Sequence, residues 1–386
     1  MYVALKNNCN MNIKQKLWIV TELFPPDETS TSYIMGEIAN AMVQKYKVGV
    51  ICGPEIYDKR KKVDVNNKFK LDDSIDIYRT EATDLDKNTM KGKTISFLLM
   101  SRRMITLVKK HVHKDDKVLM VTNPALMVPL MASLKKKVGF ELNILVHDVF
   151  PENTRPAGLK LPLYGVFKHI FDRAYNKADQ LIVIGRDMAH VLEQKVKDSL
   201  KGNFGPKITI IENWADVDNI KLQPFPEGKI IIEYAGNIGR VQGLENVMDK
   251  LPGDVEFHIY GTGAMEEKLK SRKQENVFFH GPYFRSQQNT VLAACDIALV
   301  TLQEGMYGLG VPSKTYNILA SGRPILFFGP KNSEIDLLVR ENGIGYCDWP
   351  ERWDKKTLIQ MGKKARLLAE TKYSESVILN KFLKAI

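Results

Sequence analysis

The chain has 386 residues and a formal net charge of +11, and 44% of its side chains are hydrophobic. This length suits two domains of about 150–200 residues each, and the apolar fraction excludes an intrinsically disordered chain. The four cysteines are widely spaced and have no partners at zinc-site spacing, so we expect reduced thiols, no structural metal and a cytoplasmic protein.

The excess positive charge is concentrated toward the two ends of the sequence. Residues 1–200 carry 32 basic and 23 acidic side chains, residues 201–350 carry 15 and 18, and residues 351–386 carry 9 and 4. The acidic middle part argues against a nucleic-acid-binding protein. The basic first part either faces an anionic partner or simply carries many solubilising lysines.

No targeting or membrane-spanning segment is predicted. The first 16 residues have no apolar core, so we expect no signal peptide, and residues 1–14 are expected to be flexible. The uncharged run 118–134 reaches the lower length limit of a membrane span, but Pro124 and Pro129 interrupt it. We interpret it as a strand followed by a covered helix.

Along the chain, short apolar runs alternate with helical patterns. The first part has predicted strands at 17–21, 48–52, 75–79, 117–121, 143–147, 180–185 and 208–212, with helices at 31–45, 94–113, 125–138, 164–178 and 186–198. The second part has predicted strands at 230–235, 255–261, 277–280, 297–302 and 325–329. This alternation predicts parallel sheets with helices on both faces.

The predicted fold class is therefore α/β, with two doubly wound, Rossmann-like domains facing each other across a cleft. We predict an N-terminal domain at 1–213, a linker at 214–228 and a C-terminal domain at 229–365. Helices in 366–386 are expected to pack back toward the N-terminal domain. Ligands of such folds bind at the carboxyl ends of the strands, so the cleft is the expected site.

Two loops that follow strands have the composition of anion-binding sites. The first, "GNIGRVQG", places three glycines and Arg240 between a strand and a helix, where backbone approaches a ligand closely. It matches neither G-x-G-x-x-G nor a P-loop, so a tight turn with a surface arginine is an equal alternative. In the second, Pro312 and Ser313 predict a helix start, with Lys314 in its first turn. Lys314 either binds a phosphate there or is a flexible surface lysine.

Seven segments together resemble the retaining, two-Rossmann-domain (GT-B) glycosyltransferases of family four, over essentially the whole chain. They are 146–152, 178–188, 210–216, 234–245, 260–263, 281–302 and 310–326. The last segment, "GVPSKTYNILASGRPIL", is most similar to members that transfer amino sugars in O-antigen and capsule assembly, including N-acetylfucosamine transferases. Most members carry an Arg and a Lys in the first loop of the C-terminal domain, where this chain has Asn237 and Gln242.

The resemblance implies how the missing groups are replaced. Arg240 and Lys314 are the expected substitutes for the family's basic pair on the donor diphosphate. The family's two glutamates correspond to Leu309 and Asn317 here; Asn317 is able to bond a ribose, and Glu304 could serve from a shifted loop.

The resemblance also implies the activity: retaining transfer of a sugar from UDP to a polyprenyl-diphosphate-linked or oligosaccharide acceptor in cell-surface polysaccharide biosynthesis, without cofactor or metal. The Asp-x-Asp sequences at 84–86 and 216–218 lie in a polar loop and in the linker, and neither is convincing as a metal site. The expected catalytic residues are His147, Asp148, Arg240 and Lys314. The expected donor-binding residues are Gly236, Asn237, Gly239, Arg240, Gly281, Tyr283, Pro312, Ser313, Lys314 and Asn317, and the expected acceptor-binding residues are Thr29, Ser30 and Glu152.

The basic helix 94–113 predicts a membrane partner. Arg102 and Lys109 are seven residues apart, as are Arg103 and Lys110, so each pair lies on one side of the helix, near the apolar segment 97–99. Such a ridge suits the anionic inner leaflet and predicts a peripheral membrane protein. The same residues would equally fit a helix with one core face and one solvated face.

Two other enzyme classes remain as alternatives. A nucleotide-sugar 2-epimerase of similar fold would need acids and a base around the sugar ring, and the segment 310–326 argues against it. A dinucleotide-dependent oxidoreductase predicts G-x-G-x-x-G after the first strand, but "ELFPPDETSTS" contains no glycine.

Overall fold

The structure, a computed structural model, describes residues 14–55, 69–82, 90–199 and 205–386. Most of the predicted flexible segment 1–14 and the Asp-Leu-Asp sequence at 84–86 lie outside these residues. The described residues form two halves, each built on a parallel sheet covered by helices. The predicted α/β class with two doubly wound sheets is confirmed.

The first half contains a seven-stranded sheet with the order β3-β2-β1-β4-β5-β6-β7. Its strands are near-continuous apolar runs because helices cover both faces of the sheet; Leu17, Trp18 and Ile19 are fully buried. The strands are β1 (Lys16–Thr21), β2 (Lys47–Cys52), β3 (Asp76–Arg79), β4 (Lys117–Val121), β5 (Glu141–Val146), β6 (Gln180–Val183) and β7 (Lys207–Ile210).

Five helices accompany this sheet in the described part of the first half. They are α1 (Ser30–Met42), α2 (Met90–His111), α3 (Met127–Val138), α4 (Tyr164–Tyr175) and α5 (Arg186–Ser199). Thr29 begins α1 by accepting a hydrogen bond from the Ser32 amide, and Gly139 ends α3 in the left-handed region. Helices α2, α3 and α4 pack side by side in that order.

The second half contains a six-stranded sheet with the order β10-β9-β8-β11-β12-β13. The strands are β8 (Ile230–Ala235), β9 (Val255–Tyr260), β10 (Val277–Gly281), β11 (Ile297–Thr301), β12 (Ile325–Phe328) and β13 (Gly345–Tyr346). The helices are α6 (Leu244–Asp249), α7 (Glu266–Lys270), α8 (Gln288–Ala293), α9 (Lys314–Ala320), α10 (Glu334–Asn342), α11 (Lys355–Lys372) and α12 (Glu375–Ala385). Strand β13 was not predicted, because a two-residue strand has no readable periodicity.

The order in which successive strands are added to each sheet reverses beside its first strand, between β1 and β4 and between β8 and β11. In doubly wound sheets this switch point is where loops from opposite directions leave a crevice at the carboxyl edge. Both crevices open into the space between the two halves. The loops that the sequence singled out therefore meet across one cleft.

The halves are connected by two segments that touch each other. Residues 211–229 lead from β7 to β8, and α11 and α12 lead back to the first half. The Ala215 amide donates to the Tyr373 carbonyl at 2.7 Å, where the two segments pass. Helix α12 packs against α1, and the Tyr46 hydroxyl donates to the Ile386 carbonyl at 2.6 Å.

Arg323 fixes the 211–229 segment to the second half. Its guanidinium is 1% exposed and donates to the carbonyls of Gln223, Pro224 and Ala293. Replacing it with methionine leaves these carbonyls without their charged donor, at a cost of about 3 kcal/mol. We expect the Arg323→Met variant to melt about 6–12 °C below the wild type in calorimetry.

The control for this prediction is Arg352→Met, which removes an exposed arginine that makes no side-chain contact of this kind. It should melt within about 1–2 °C of the wild type. Equal melting temperatures for Arg323→Met and the wild type would contradict the anchoring role of Arg323.

Candidate active site

A cavity of about 460 Å³ lies between the two halves, at the carboxyl ends of both sheets. Its walls combine loops of the first half with the β8 and β11 loops of the second, as the ligand crevice of two doubly wound sheets requires. Of the residues predicted from the sequence, those lining it are Ser30, His147, Asp148, Gly236, Asn237, Tyr283, Pro312, Ser313, Lys314 and Asn317.

The first-half wall is the segment that follows β5. The amides of His147 and Asp148 both donate to the Thr122 hydroxyl, at 3.2 and 3.3 Å. Asp148 then pairs with Gly310 in an antiparallel bridge, and the Val149 amide donates to the Leu309 carbonyl at 3.0 Å. The wall is thus held to the β11 loop of the second half by backbone contacts.

The two predicted catalytic side chains on this wall have shifted pKa values. Burial lowers the pKa of His147 to about 4, so its imidazole is neutral at pH 7, and its Nε2 atom has no hydrogen-bond partner. Asp148 faces the open part of the cavity, yet desolvation by the surrounding protein still raises the pKa of its carboxyl.

The donor loop, which we define as residues 236–243, lies directly against the loop that follows β9. Gly236 has a φ of +149° and donates from its amide to the Tyr260 carbonyl at 2.9 Å. At Gly261 a Cβ atom would lie 1.8 Å from the Gly236 carbonyl oxygen, so only glycine allows the two loops to approach. The Ile238 amide also donates to Thr262, at 2.8 Å.

Lys314 contributes a buried cation to the cavity wall. Its Nζ atom lies 3.3 Å from the centroid of the Tyr234 ring and makes no hydrogen bond. Burial lowers the pKa of this ammonium to about 7, and the nearby Glu233 carboxylate opposes that shift only in part. Helix α9 begins at Lys314, with Ser313 as its N-cap residue, so Pro312 precedes the helix instead of opening it.

Arg240 does not occupy the position expected from the sequence. It is exposed, it is not among the residues lining the cavity, and its guanidinium lies beside Gly158 of the first half. Its carbonyl accepts a hydrogen bond from Gln303 at 2.7 Å. Two other predicted donor residues also lie behind the wall: Gly239 is buried, and the Gly281 carbonyl accepts the Gly261 amide. Of the two cations predicted to bind the donor, Arg240 and Lys314, it is therefore Lys314 that lines the cavity.

Two predicted acceptor-binding residues are committed to structural contacts. The Thr29 hydroxyl caps α1. Glu152 lies in a largely buried ion cluster, where its Oε1 atom is 2.6 Å from Lys195 Nζ, and Lys195 also contacts Asp172. Neither residue lines the cavity, so the assignment of Thr29 and Glu152 as acceptor contacts is not supported by their positions.

The structure adds cavity residues that the sequence did not single out. Arg285 lies 3.5 Å from the ring centroid of Tyr33 and 3.3 Å from Asp216, so it joins both halves and the connecting segment. The Asp216 amide donates to the Asn317 side chain at 3.1 Å. Arg285 and Asp216 lie within the matched segments 281–302 and 210–216, although neither was predicted to line the site. Tyr33 had no sequence signal because its partner Arg285 is distant along the chain.

The basic residues of α2 lie on the surface of the first half. Arg102, Lys109 and Lys110 are exposed, and Arg103 bonds to the Glu81 carbonyl at 2.8 Å. In the described ranges, none of the helices combines the length and apolar character needed to cross a membrane. The same ranges contain no cluster of three or more His, Cys, Asp or Glu side chains suited to a metal ion.

Comparison with known proteins identifies two glycosyltransferase relatives, one of which spans nearly the whole chain. No protein-family model matches it. WbjE of Pseudomonas aeruginosa, named as a probable glycosyltransferase, is 30% identical over 95% of this chain and 96% of its own length. WcaI of Escherichia coli K12, whose name assigns it to colanic acid biosynthesis as a glycosyl transferase, is 28% identical over 62% of this chain and 63% of its own length.

Solved structures show the same fold at low sequence identity. Sucrose-phosphate synthase of Thermosynechococcus elongatus has a TM-score of 0.73 at 12% identity, over 96% of this chain and 98% of its own. HepE of Anabaena, in complex with UDP and glucose, has a TM-score of 0.64 at 13% identity, over 96% and 99%. With two doubly wound sheets around one cleft and a full-length glycosyltransferase relative, the chain belongs to the GT-B glycosyltransferases of the family-four type.

Proposed function

We propose that this glycosyltransferase moves an N-acetylated amino sugar from a UDP-sugar to a polyprenyl-diphosphate-linked or oligosaccharide acceptor, with retention and without a metal ion. The pathway we propose is cell-surface polysaccharide assembly, at the cytoplasmic face of the membrane. The name of WcaI and the UDP bound to HepE support the pathway and the donor. The amino sugar rests on the resemblance of residues 310–326 alone.

The observation that carries the proposal is the Lys314 ammonium, which lies beside Gly236, the first residue of the donor loop. It is buried, makes no hydrogen bond and belongs to the wall of a cavity large enough for a sugar nucleotide. A buried cation without an anion is costly, and a diphosphate in the cavity would supply the missing partner. The same contact would stabilise the negative charge that develops on the leaving diphosphate during transfer.

His147 and Asp148 would act on the other side of the reacting bond. His147 is neutral at pH 7, so its role is to hydrogen-bond the donor sugar, not to supply a charge. Asp148 would orient the acceptor hydroxyl, and the backbone bridge to Gly310, which keeps Asp148 beside the second half, supports this role. In the front-face mechanism that the family resemblance implies, the leaving phosphate takes the acceptor proton, so no separate base is needed.

The assay of this function uses purified protein, a panel of UDP-linked N-acetylated amino sugars and a short polyprenyl-diphosphate saccharide. We expect UDP release that requires acceptor, and a product whose anomeric configuration by NMR matches that of the donor. An epimerised sugar nucleotide formed without acceptor would favour the 2-epimerase alternative. A shift in melting temperature with NAD alone would contradict the glycosyl-transfer proposal.

Lys314 predicts a pH dependence of UDP binding. With a pKa near 7, Lys314 is charged below neutral pH. Above pH 7 it is increasingly neutral, so it must take up a proton when UDP binds. We expect UDP affinity, measured by calorimetry, to fall above pH 7 by up to about tenfold per pH unit. The Lys314→Met variant should bind UDP about 10- to 100-fold more weakly at pH 7 and lose this pH dependence.

Arg240→Ala is the matched control, because it removes a cation of the donor loop that lies beside Gly158 and does not line the cavity. Its UDP affinity should stay within about threefold of the wild type. A larger loss in Arg240→Ala than in Lys314→Met would reverse the assignment of the two cations.

We further propose that the first half docks on an anionic membrane through an apolar ridge beside the basic residues of α2. The ridge consists of exposed residues on α2, on α3, on α4 and at the N-cap of α4: Ile95, Leu98, Leu130, Leu163, Val166 and Ile170. Leu163 is 74% and Val166 54% exposed, and these helices pack side by side. Apolar side chains next to exposed Arg102, Lys109 and Lys110 match an anionic bilayer surface in both polarity and charge.

The membrane proposal predicts separate apolar and electrostatic contributions to binding. In sedimentation with anionic vesicles, Val166→Asp and the double variant Arg102→Glu/Lys109→Glu should each lower binding by about tenfold or more. Only the double variant should bring binding down to the level seen on neutral vesicles. The control Lys363→Glu/Lys372→Glu changes the same charge on α11 and should bind as the wild type does. Wild-type protein that stays in the supernatant would contradict the proposal.

A further inference from the structure

Tyr234, in β8, contacts both components of the donor site. Its hydroxyl donates to the Asn237 carbonyl at 2.6 Å, inside the donor loop, and its ring lies under Lys314 Nζ at 3.3 Å. The side chain is 1% exposed, so it does not itself present a surface to solvent. One buried aromatic residue thus connects the loop backbone to the cation.

Gly236 lies between these two contacts and completes their geometry. A Cβ atom at Gly236 would be 3.6 Å from the Tyr234 hydroxyl and 3.8 Å from Lys314 Nζ. The Tyr234 hydroxyl and the Lys314 ammonium therefore both lie close to Gly236, the first glycine of the donor loop. Because Lys314 makes no hydrogen bond, the face of the Tyr234 ring is its principal favourable neighbour at short range.

The other charged group that acts on Lys314 is Glu233, the neighbouring residue of β8. Its carboxylate is buried without a hydrogen-bond partner, and it also interacts electrostatically with Arg323, Tyr260, Tyr283 and Cys295. Burial raises the pKa of Glu233 to about 8, so this carboxyl is largely neutral at pH 7. Glu233 therefore contributes only part of a counter-charge to Lys314. The Tyr234 ring favours the charged ammonium as well, and because burial raises the pKa of the Tyr234 hydroxyl, the ring stays neutral across the pH range in which Lys314 titrates.

We propose that Tyr234 is a positioning residue for the transfer reaction: its ring holds the Lys314 ammonium at the donor site, while its hydroxyl fixes the donor loop through Asn237. This inference rests on the proposed binding of a UDP-sugar diphosphate beside Lys314. Two substitutions separate the two roles, because phenylalanine keeps the ring and removes the hydroxyl, whereas leucine removes both.

The experiment titrates UDP into wild type, Tyr234→Phe and Tyr234→Leu by calorimetry between pH 6 and pH 9. We expect Tyr234→Phe to bind about 2- to 10-fold more weakly at every pH, with the decline of affinity starting at the same pH as in the wild type. Tyr234→Leu should bind UDP about 10-fold more weakly than Tyr234→Phe does. Its decline should begin at lower pH, because without the ring less stabilises the charged form of Lys314.

Phe257→Leu is the structural control, since Phe257 is a fully buried aromatic residue of β9 outside the cavity. It should lower the melting temperature without moving the pH at which UDP affinity declines. Equal pH profiles for Tyr234→Leu and the wild type, with UDP still bound, would overturn the role of Tyr234 and leave the proposed function standing. Wild-type protein that binds no UDP at any pH would instead overturn the proposed donor site.

Discussion

The distance between the two walls of the active-site cavity is set by backbone hydrogen bonds across the cleft. Val149 donates to the Leu309 carbonyl at 3.0 Å, and Asp148 pairs with Gly310. Contacts made through long, flexible side chains would tolerate small shifts of one wall relative to the other, whereas a backbone-to-backbone bridge does not. His147 therefore stands at a fixed position relative to the loop that leads into α9 and Lys314, and the chemistry of the site follows from that spacing.

Charge in the cavity is organised differently from the pattern that the family resemblance leads one to expect. The positions of the usual basic pair hold Asn237 and Gln242, which are neutral, and Arg240 points toward Gly158. Positive charge in the cavity comes instead from Arg285 and from Lys314 of α9, on the opposite side of the crevice between β8 and β11. A lysine there can titrate near neutral pH because it is desolvated, whereas an arginine would stay charged throughout.

The fold was readable from the sequence because buried parallel strands are continuous apolar runs and their ligand loops begin where those runs end. Individual side chains were less readable where their partners are distant along the chain. Glu152 was predicted to bind acceptor, yet Lys195, 43 positions later, holds it in an ion pair. A role for Tyr234 was not predicted because it lies inside an apolar strand, and only the three-dimensional packing shows its contacts with Asn237 and Lys314.

The connection between the halves has a mechanical consequence. The chain passes between them twice, and the two passages are bound together where Ala215 meets Tyr373 and Ser374, with Arg366 donating to the Ile220 carbonyl nearby. Because the two crossings are bonded to each other at one place, they form a hinge: they allow the halves to rotate about that line and resist sliding of one half along it. Opening of the cleft would then be a rotation about this line, and it would have to break the contacts that join the halves elsewhere, including the Val149–Leu309 hydrogen bond and the approach of Arg240 to Gly158.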